Sequence, residues 1–217
     1  MLLHSPYYAS RPAELADGVM VPSQAGPVAF SGPVTILVCR DNERAVGIAR
    51  ELKNAAGEGR GSTASAEAVV IRDAEEALEG ASAAPLSGLV VFLLYLNDKT
   101  FLDAGGAVAR LVQAAMDRRI AVAMVHEQDP TCGGVPFRNF FQQTPQVLLQ
   151  PPYKIFDTVA VPLYPAPEHR TVSLRLALSS MGAVPCDAGP LQRRWQLLRR
   201  RIAVARLIRR RPAELIV

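Results

Sequence analysis

An uninterrupted apolar stretch constrains this chain more than any other part of its sequence. Residues 89–96 read LVVFLLYL, and the polar pair Asn97-Asp98 follows at once. A half-exposed strand alternates apolar and polar side chains, whereas a strand buried on both faces is apolar throughout. No apolar run in the chain approaches the roughly 20 residues that cross a bilayer. The stretch therefore predicts a strand in a sheet that is covered on both faces.

Shorter apolar runs recur along the chain and alternate with helical patterns. The other predicted strands are 34–39, 67–73, 120–127 and 157–164. Pro162 suits an edge strand, because proline cannot donate a hydrogen bond to a neighbouring strand. The helical patterns predict a helix capped by Asp41 or Asn42 and ended by Gly57, one over about 103–118, and one that ends near Gly182.

This alternation predicts an α/β fold. Apolar strands that alternate with helices form parallel sheets with helices on both faces. Five strands in about 150 residues favour a flavodoxin-like, doubly wound parallel sheet, and such folds bind ligands outside the carboxyl ends of the strands. One interpretation is therefore a ligand crevice at those ends, near Arg40, Asp41, Asp98 and His126. Strand ends also become polar simply because the chain emerges into water, and that alternative accounts for the same residues.

Positive charge is concentrated at the C-terminal end. The chain carries a net charge of +4, but residues 1–185 hold 15 Lys/Arg against 18 Asp/Glu, a net of −3. Residues 186–217 hold nine arginines against two acids, a net of +7. We predict a flexible N-terminal arm over 1–30, a compact domain over 31–183 and a basic, amphipathic helical tail over 184–217.

The tail carries an apolar stripe between arginines. Its members recur at alternating spacings of four and three: Leu191, Trp195, Leu198, Ile202 and Ala205. Trp195, Ile202 and Ile208 also show a 1-8-14 spacing, which suits a helix bound in a calmodulin-like groove. An anionic membrane or a nucleic acid could bind residues 191–211 instead. A fourth alternative is a helix that packs its stripe on the domain and exposes its arginines.

The cysteines and histidines give no metal or disulfide pattern. Cys39, Cys132 and Cys186 are far apart and odd in number, and the first residues lack a signal-peptide pattern. We therefore expect a reducing compartment and a cytoplasmic protein. A metal site at His126, Asp129 and Cys132 would need a further ligand in a recognisable spacing, so no metal is expected. Nothing marks a base that would activate Cys132.

Four segments, in order, resemble the motifs of the TIR (Toll/interleukin-1 receptor homology) domain family, in a divergent branch. The segments are ILVCRDNERAVGIARELKNA, VVIRDAEEALEG, VVFLLYLNDKTFLDA and IAVAMVHEQDP. The resemblance covers roughly residues 31–183. It implies a signalling module that acts by association with other TIR-like domains, as a homo- or hetero-oligomer. It also implies a contact surface in the loop after the second strand, at Arg72, Asp73, Glu75 and Glu76.

The resemblance also raises an enzymatic alternative. TIR enzymes that cleave NAD carry a glutamate on the helix after the third strand, whereas this chain has no acid between Asp103 and Asp117. Arg110 or Leu111 stands at the equivalent position, and Leu111 lies on the apolar, core-facing stripe of the helix predicted over about 103–118. Loss of a carboxylate that matches a developing cation costs several kcal/mol of transition-state stabilisation. We therefore expect a non-catalytic module, with an NAD⁺ nucleosidase that uses Glu127 instead as the alternative. NAD would then be a substrate, and no cofactor is expected.

Other catalytic patterns are weaker. Adjacent residues on a strand point to opposite faces, so His126 and Glu127 are expected to be one packed and one solvated residue, not a cooperating pair. No Gly-x-Gly-x-x-Gly follows the first strand, which argues against Rossmann-type dinucleotide binding. A phosphoacceptor receiver domain would need a lysine after the fifth strand, and VAVPLYPAP supplies none.

Overall fold

The computed structural model of the protein describes residues 27–57, 69–80, 86, 88–103 and 105–186. The predicted tail anchors Trp195, Ile202 and Ile208 lie outside the described residues, as does nearly all of the predicted arm. Among the helices that are described, none has the length and apolar character needed to cross a membrane.

Five parallel strands form the main sheet, in the order β3-β2-β4-β5-β6. Their bounds are β2 Val34–Val38, β3 Val69–Asp73, β4 Leu89–Leu96, β5 Ala121–Glu127 and β6 Val161–Leu163. The chain moves outward from β2 to β3, crosses back to β4 and then continues outward, which is the flavodoxin-like order. The predicted fold class is confirmed. Pro162 lies in β6, an edge strand, as the sequence predicts.

Helices cover both faces of this sheet. Their bounds are α1 Ala45–Gly57, α2 Ala74–Glu79, α3 Ala107–Asp117, α4 Phe140–Gln143, α5 Gln146–Leu149 and α6 Pro167–Met181. Helices α1 and α6 pack on one face, and α2 and α3 pack on the other. The two short helices lie in the long connection between β5 and β6, together with the 3-10 turns Pro130–Cys132, Phe137–Asn139 and Ile155–Asp157.

The two core layers explain why β4 is apolar throughout. Val91, Leu93 and Tyr95 belong to the layer under α1 and α6, whereas Phe92, Leu94 and Leu96 belong to the layer under α2 and α3. Full burial of one large apolar side chain stabilises the fold by about 1.5–3 kcal/mol. Replacing one of these side chains by a polar residue would therefore remove that stabilisation.

A two-stranded antiparallel ribbon extends the domain beyond the predicted boundaries at 31 and 183. β1, Val28–Ala29, pairs with β7, Val184–Pro185. Val28 is buried with α1 and α6 in the same core layer. The packed unit therefore includes residues from the end of the predicted arm and the start of the predicted tail.

Asn42 completes the sheet where β2 ends. Its side-chain oxygen accepts a hydrogen bond from the Tyr95 N–H, and its side-chain nitrogen donates to the Tyr95 carbonyl, each at 2.9 Å. β2 ends at Val38, opposite Leu93, so Tyr95 has no residue of β2 beside it. The prediction that Asp41 or Asn42 caps α1 is wrong, because that helix begins at Ala45 and the side chain of Asn42 binds the backbone of Tyr95 instead.

Replacement of Asn42 by alanine should strongly destabilise the domain. The side chain is only 2% exposed, and its loss leaves the buried N–H of Tyr95 without a partner, whereas the Tyr95 carbonyl still accepts the Thr100 hydroxyl at 2.8 Å. At about 1–3 kcal/mol for one unsatisfied buried group, we expect the free energy of unfolding to fall by about 1–3 kcal/mol in urea denaturation. Asn54→Ala, at an exposed position in α1, is the control and should change stability by less than about 0.5 kcal/mol. Equal effects of the two substitutions would contradict this role for Asn42.

Candidate functional site

The carboxyl ends of β2, β4 and β5 open onto two adjoining clefts. The larger has a volume of about 280 Å³ and is lined by Arg44, Gly47, Ile48, Glu51, Tyr95, Glu127, Cys132 and Arg170. The smaller has a volume of about 180 Å³ and is lined by Glu43, Arg44, Asn97, Asp98, Lys99, Pro130, Thr131, Cys132 and Gly133. They lie where the chain order in the sheet reverses, between β2 and β4, the position at which doubly wound folds usually bind ligands.

Glu127 forms the buried end of the larger cleft. The residue is 1% exposed. Its Oε1 accepts the backbone N–H groups of Gln128 and Asp129, each at 3.0 Å. Its Oε2 accepts the hydroxyl of Tyr95 at 2.7 Å and Nη1 of Arg170 at 3.3 Å. Both oxygens of this carboxylate are therefore engaged within the protein.

Arg170 extends this cluster to α1. Its Nε and Nη2 donate to the two carboxylate oxygens of Glu51, at 2.9 and 3.1 Å, in a bidentate pair. Burial opposes the charged form of Arg170, but the hydrogen bonds and charges of Glu51 and Glu127 outweigh it and raise the pKa of the guanidinium. Burial, together with the hydrogen bond to Glu127 and the charge of that carboxylate, raises the pKa of Tyr95. The phenol therefore acts as a hydrogen-bond donor at neutral pH.

The sequence did not identify Tyr95, Glu51 and Arg170 as a cluster. The hydroxyl of Tyr95 in an otherwise apolar strand was the one local signal, since a buried tyrosine needs a hydrogen-bond partner. Glu51 and Arg170 are 119 residues apart, and no local pattern connects them.

His126 lies on the other face of the sheet from Glu127, as predicted. Its ring contacts Phe137 and Phe140 edge-on, with centroids 5.6 and 5.2 Å apart. Nε2 donates to the carbonyl of Val135 at 2.8 Å, and Nδ1 accepts from the side chain of Gln128 at 2.8 Å. The prediction that one of the two residues is solvated is wrong, because both are buried.

The predicted crevice residues do not lie together. Asp98 lines the smaller cleft, whereas His126 is buried on the opposite face. Arg40 is exposed and forms an ion pair with Asp73 at 2.7 Å, at the end of β3. Asp41 is exposed and does not line either cleft.

The predicted interaction loop is a strand end followed by a helix. Arg72 and Asp73 are the last residues of β3, and Glu75 and Glu76 lie in the first turn of α2. Asp73 caps that helix by accepting the N–H of Glu76 at 3.0 Å. Glu75 lies 3.3 Å from Arg110 of α3, so the four residues form a charged surface with α3 beside it.

Helix α3 has no carboxylate at the position expected of an NAD-cleaving TIR enzyme. Leu111 is buried in the core, as the sequence predicts. Arg110 is on the outer side of the helix and forms ion pairs with Glu75 and Glu79 of α2.

The cysteine beside the clefts is part of a capped turn. Asp129 accepts hydrogen bonds from the hydroxyl and the N–H of Thr131, which lower the pKa of its carboxyl group. The thiol of Cys132 donates to the same carboxylate, at 3.6 Å. Across the part of the chain that the structure describes, no three His, Cys, Asp or Glu side chains form a group that could hold a metal ion.

Comparisons with protein-family models, with curated proteins and with solved structures gave no match. The TIR resemblance therefore rests on the sequence motifs quoted above.

Removal of the Arg170 charge should destabilise the domain sharply. Arg170→Met leaves Glu127 as a buried carboxylate without its cationic partner, a change that costs about 3–5 kcal/mol. Combining it with Glu127→Gln should cost less than the sum of the two single changes, because the buried charge is then absent. Urea denaturation of the four proteins measures this coupling. Arg50→Met, an exposed position on α1, is the control. Strict additivity would contradict the assigned pairing.

Protonation of His126 should lower the stability of the domain in weak acid relative to neutral pH. Burial lowers the pKa of His126, against the hydrogen bond to Val135 and the charge of Glu127, which act in the opposite direction. The folded state therefore binds fewer protons than the unfolded state near the ordinary histidine pKa of about 6.5, so stability falls as the pH decreases. We expect the free energy of unfolding to fall between about pH 7.5 and about pH 5.5, and to fall less in His126→Gln. Parallel pH profiles for the two proteins would contradict this.

Proposed function

We propose that this domain is a non-catalytic, TIR-like signalling module that acts by association with other domains of the same kind. The proposal combines the motif resemblance with the flavodoxin-like strand order. Its partner would be a second copy or a related domain.

The hydrogen bonds of Glu127 are the observation that supports a module without catalytic activity. Glu127 is the carboxylate that would have to replace the acid missing from α3. A residue that stabilises a cationic transition state must present charge to the substrate. Here the charge is already shared with Arg170, and the oxygens accept two backbone N–H groups and the Tyr95 hydroxyl. Its use in catalysis would require these hydrogen bonds to break.

The charged surface at the end of β3 supports the association part. Glu75 is 62% exposed and Glu76 is also exposed, on a short helix that Asp73 caps. Exposed charges of this kind steer and orient protein partners more than they add affinity. We propose that the first turn of α2 contacts a basic region of the partner domain.

The alternative is an NAD⁺ nucleosidase that uses Glu127. The observation in its favour is that Glu127 lines the larger cleft at the reversal point of the sheet. The volume of that cleft is just under the range of about 300–1,000 Å³ typical of small-molecule sites. Docking of residues 191–211 to calmodulin, an anionic membrane or a nucleic acid remains a prediction from sequence.

Two measurements test the proposal on the full chain. Incubation with NAD⁺ should release no nicotinamide, whereas release that disappears in Glu127→Ala would favour the enzyme. Sedimentation at increasing protein concentration should show self-association, or association with a TIR-like partner. Glu76→Arg should weaken the association by about tenfold or more, equivalent to about 1.4 kcal/mol.

Glu168→Arg is the matched control for the association experiment. Glu76 and Glu168 are both exposed glutamates in the first turn of a helix, so the two changes lose a similar interaction with the helix dipole, about 0.3–1 kcal/mol. Equal weakening by both variants would contradict a specific contact at α2.

A further inference from the structure

Two side chains of opposite charge line the smaller cleft without partners of their own. Arg44 comes from the turn before α1, and Asp98 comes from the loop after β4. Within the described residues, neither side chain forms an ion pair or a hydrogen bond. The other charged residues of the two clefts are paired with one another: Glu43 with Lys99, and Arg170 with Glu51 and Glu127.

The backbones that carry these two side chains are held in place. The N–H of Asp98 donates to the carbonyl of Gly133 at 2.8 Å, and its carbonyl accepts from the side chain of Gln143 at 3.1 Å. Arg44 has a φ of +68°, and its carbonyl accepts the N–H of Ile48 at 3.1 Å. A residue with a Cβ adopts such a φ at an energetic cost, which is found most often where the local structure serves a ligand. Because these backbones are already ordered, binding has to order the two side chains but not the segments that carry them.

Gly133 leaves the room that the Asp98 carboxylate occupies. A Cβ at this position would lie 2.3 Å from Oδ1 of Asp98, and the φ of +86° already favours glycine. The Asp98 carboxylate therefore lies against the backbone of Gly133 in the wall of the smaller cleft.

We propose that the two clefts bind a small zwitterion of the α-amino acid class. Asp98 would accept hydrogen bonds from the ammonium group, and Arg44 would donate to the carboxylate. Such charge-assisted bonds are stronger than those between neutral groups.

The balance of charge favours a zwitterion over a simple ion. The two clefts are lined by three cationic and four anionic side chains, so an isolated anion meets a net negative environment. An isolated cation leaves Arg44 without a counter-charge. A zwitterion satisfies both unpaired groups at once.

The lining of the larger cleft determines the polarity of the ligand side chain that fits there. Gly47, Ile48 and the ring of Tyr95 line it next to Arg44, so an apolar side chain of the ligand would lie there. The larger cleft is lined by α1 and by Arg170 of α6, on the face of the sheet opposite α2 and α3. The ligand site is therefore separate from the surface of α2 proposed above for association.

Titration of the full chain with L-leucine tests the proposal. We expect a Kd of about 1 mM or tighter by calorimetry, with backbone amide shifts in NMR spectra at residues 43–51, 97–99 and 130–133. Arg44→Gln and Asp98→Asn should each weaken binding by about tenfold or more, since each removes one charge-assisted contact. Both side chains are exposed and unpaired in the described structure, so both variants should fold normally.

Two probes and two matched variants make the test specific. 4-Methylpentanoate lacks the ammonium group and leucinamide lacks the carboxylate, so each should bind more weakly than leucine. Arg50→Gln and Asp157→Asn change exposed charges outside the clefts and should leave binding unchanged. Equal binding of either probe and leucine would overturn the zwitterion assignment. Leucine binding that is absent, that shifts other residues, or that survives both cleft variants would overturn the site.

Discussion

One buried carboxylate joins the elements that surround the carboxyl edge of the sheet. Glu127 ends β5, receives the hydroxyl of Tyr95 from β4, and binds Arg170 of α6, which in turn binds Glu51 of α1. Loss of one partner in a buried pair costs several kcal/mol, whereas the intact pair contributes far less in net terms. The cluster therefore fixes how α1 and α6 sit relative to the strand ends. The shape of the larger cleft depends on that arrangement.

The main sheet could be predicted from local patterns, because each of its five strands has a recognisable apolar pattern within a few residues. The apolar stretch at 89–96 gives β4, and the position of Pro162 correctly indicates an edge strand. Helix α3 was predicted with Leu111 on its core side, because helical periodicity depends only on neighbouring residues. Such signals do not depend on knowing what the element packs against.

The candidate site could be predicted only in part, because it depends on pairs that are distant in sequence. Asp98 was identified from its place after a strand, but the pairing of Glu51 with Arg170 spans 119 residues. Asparagine is a common helix cap, so Asn42 was predicted to cap α1. Its actual partner is Tyr95, because β2 ends opposite Leu93, two residues before Tyr95. His126 and Glu127 were correctly assigned to opposite faces. The burial of both residues was not foreseen, since it depends on contacts with Phe137, Phe140 and Arg170.

The proline in β6 has a consequence for how copies of this domain can meet. A strand of three residues that contains Pro162 offers few backbone donors at its edge, so another chain cannot readily extend the sheet there. Growth by strand addition, the usual route to ordered aggregates, is thereby discouraged on that side. Contacts between copies at this side of the molecule must then be made by side chains, and side-chain contacts can be specific and reversible.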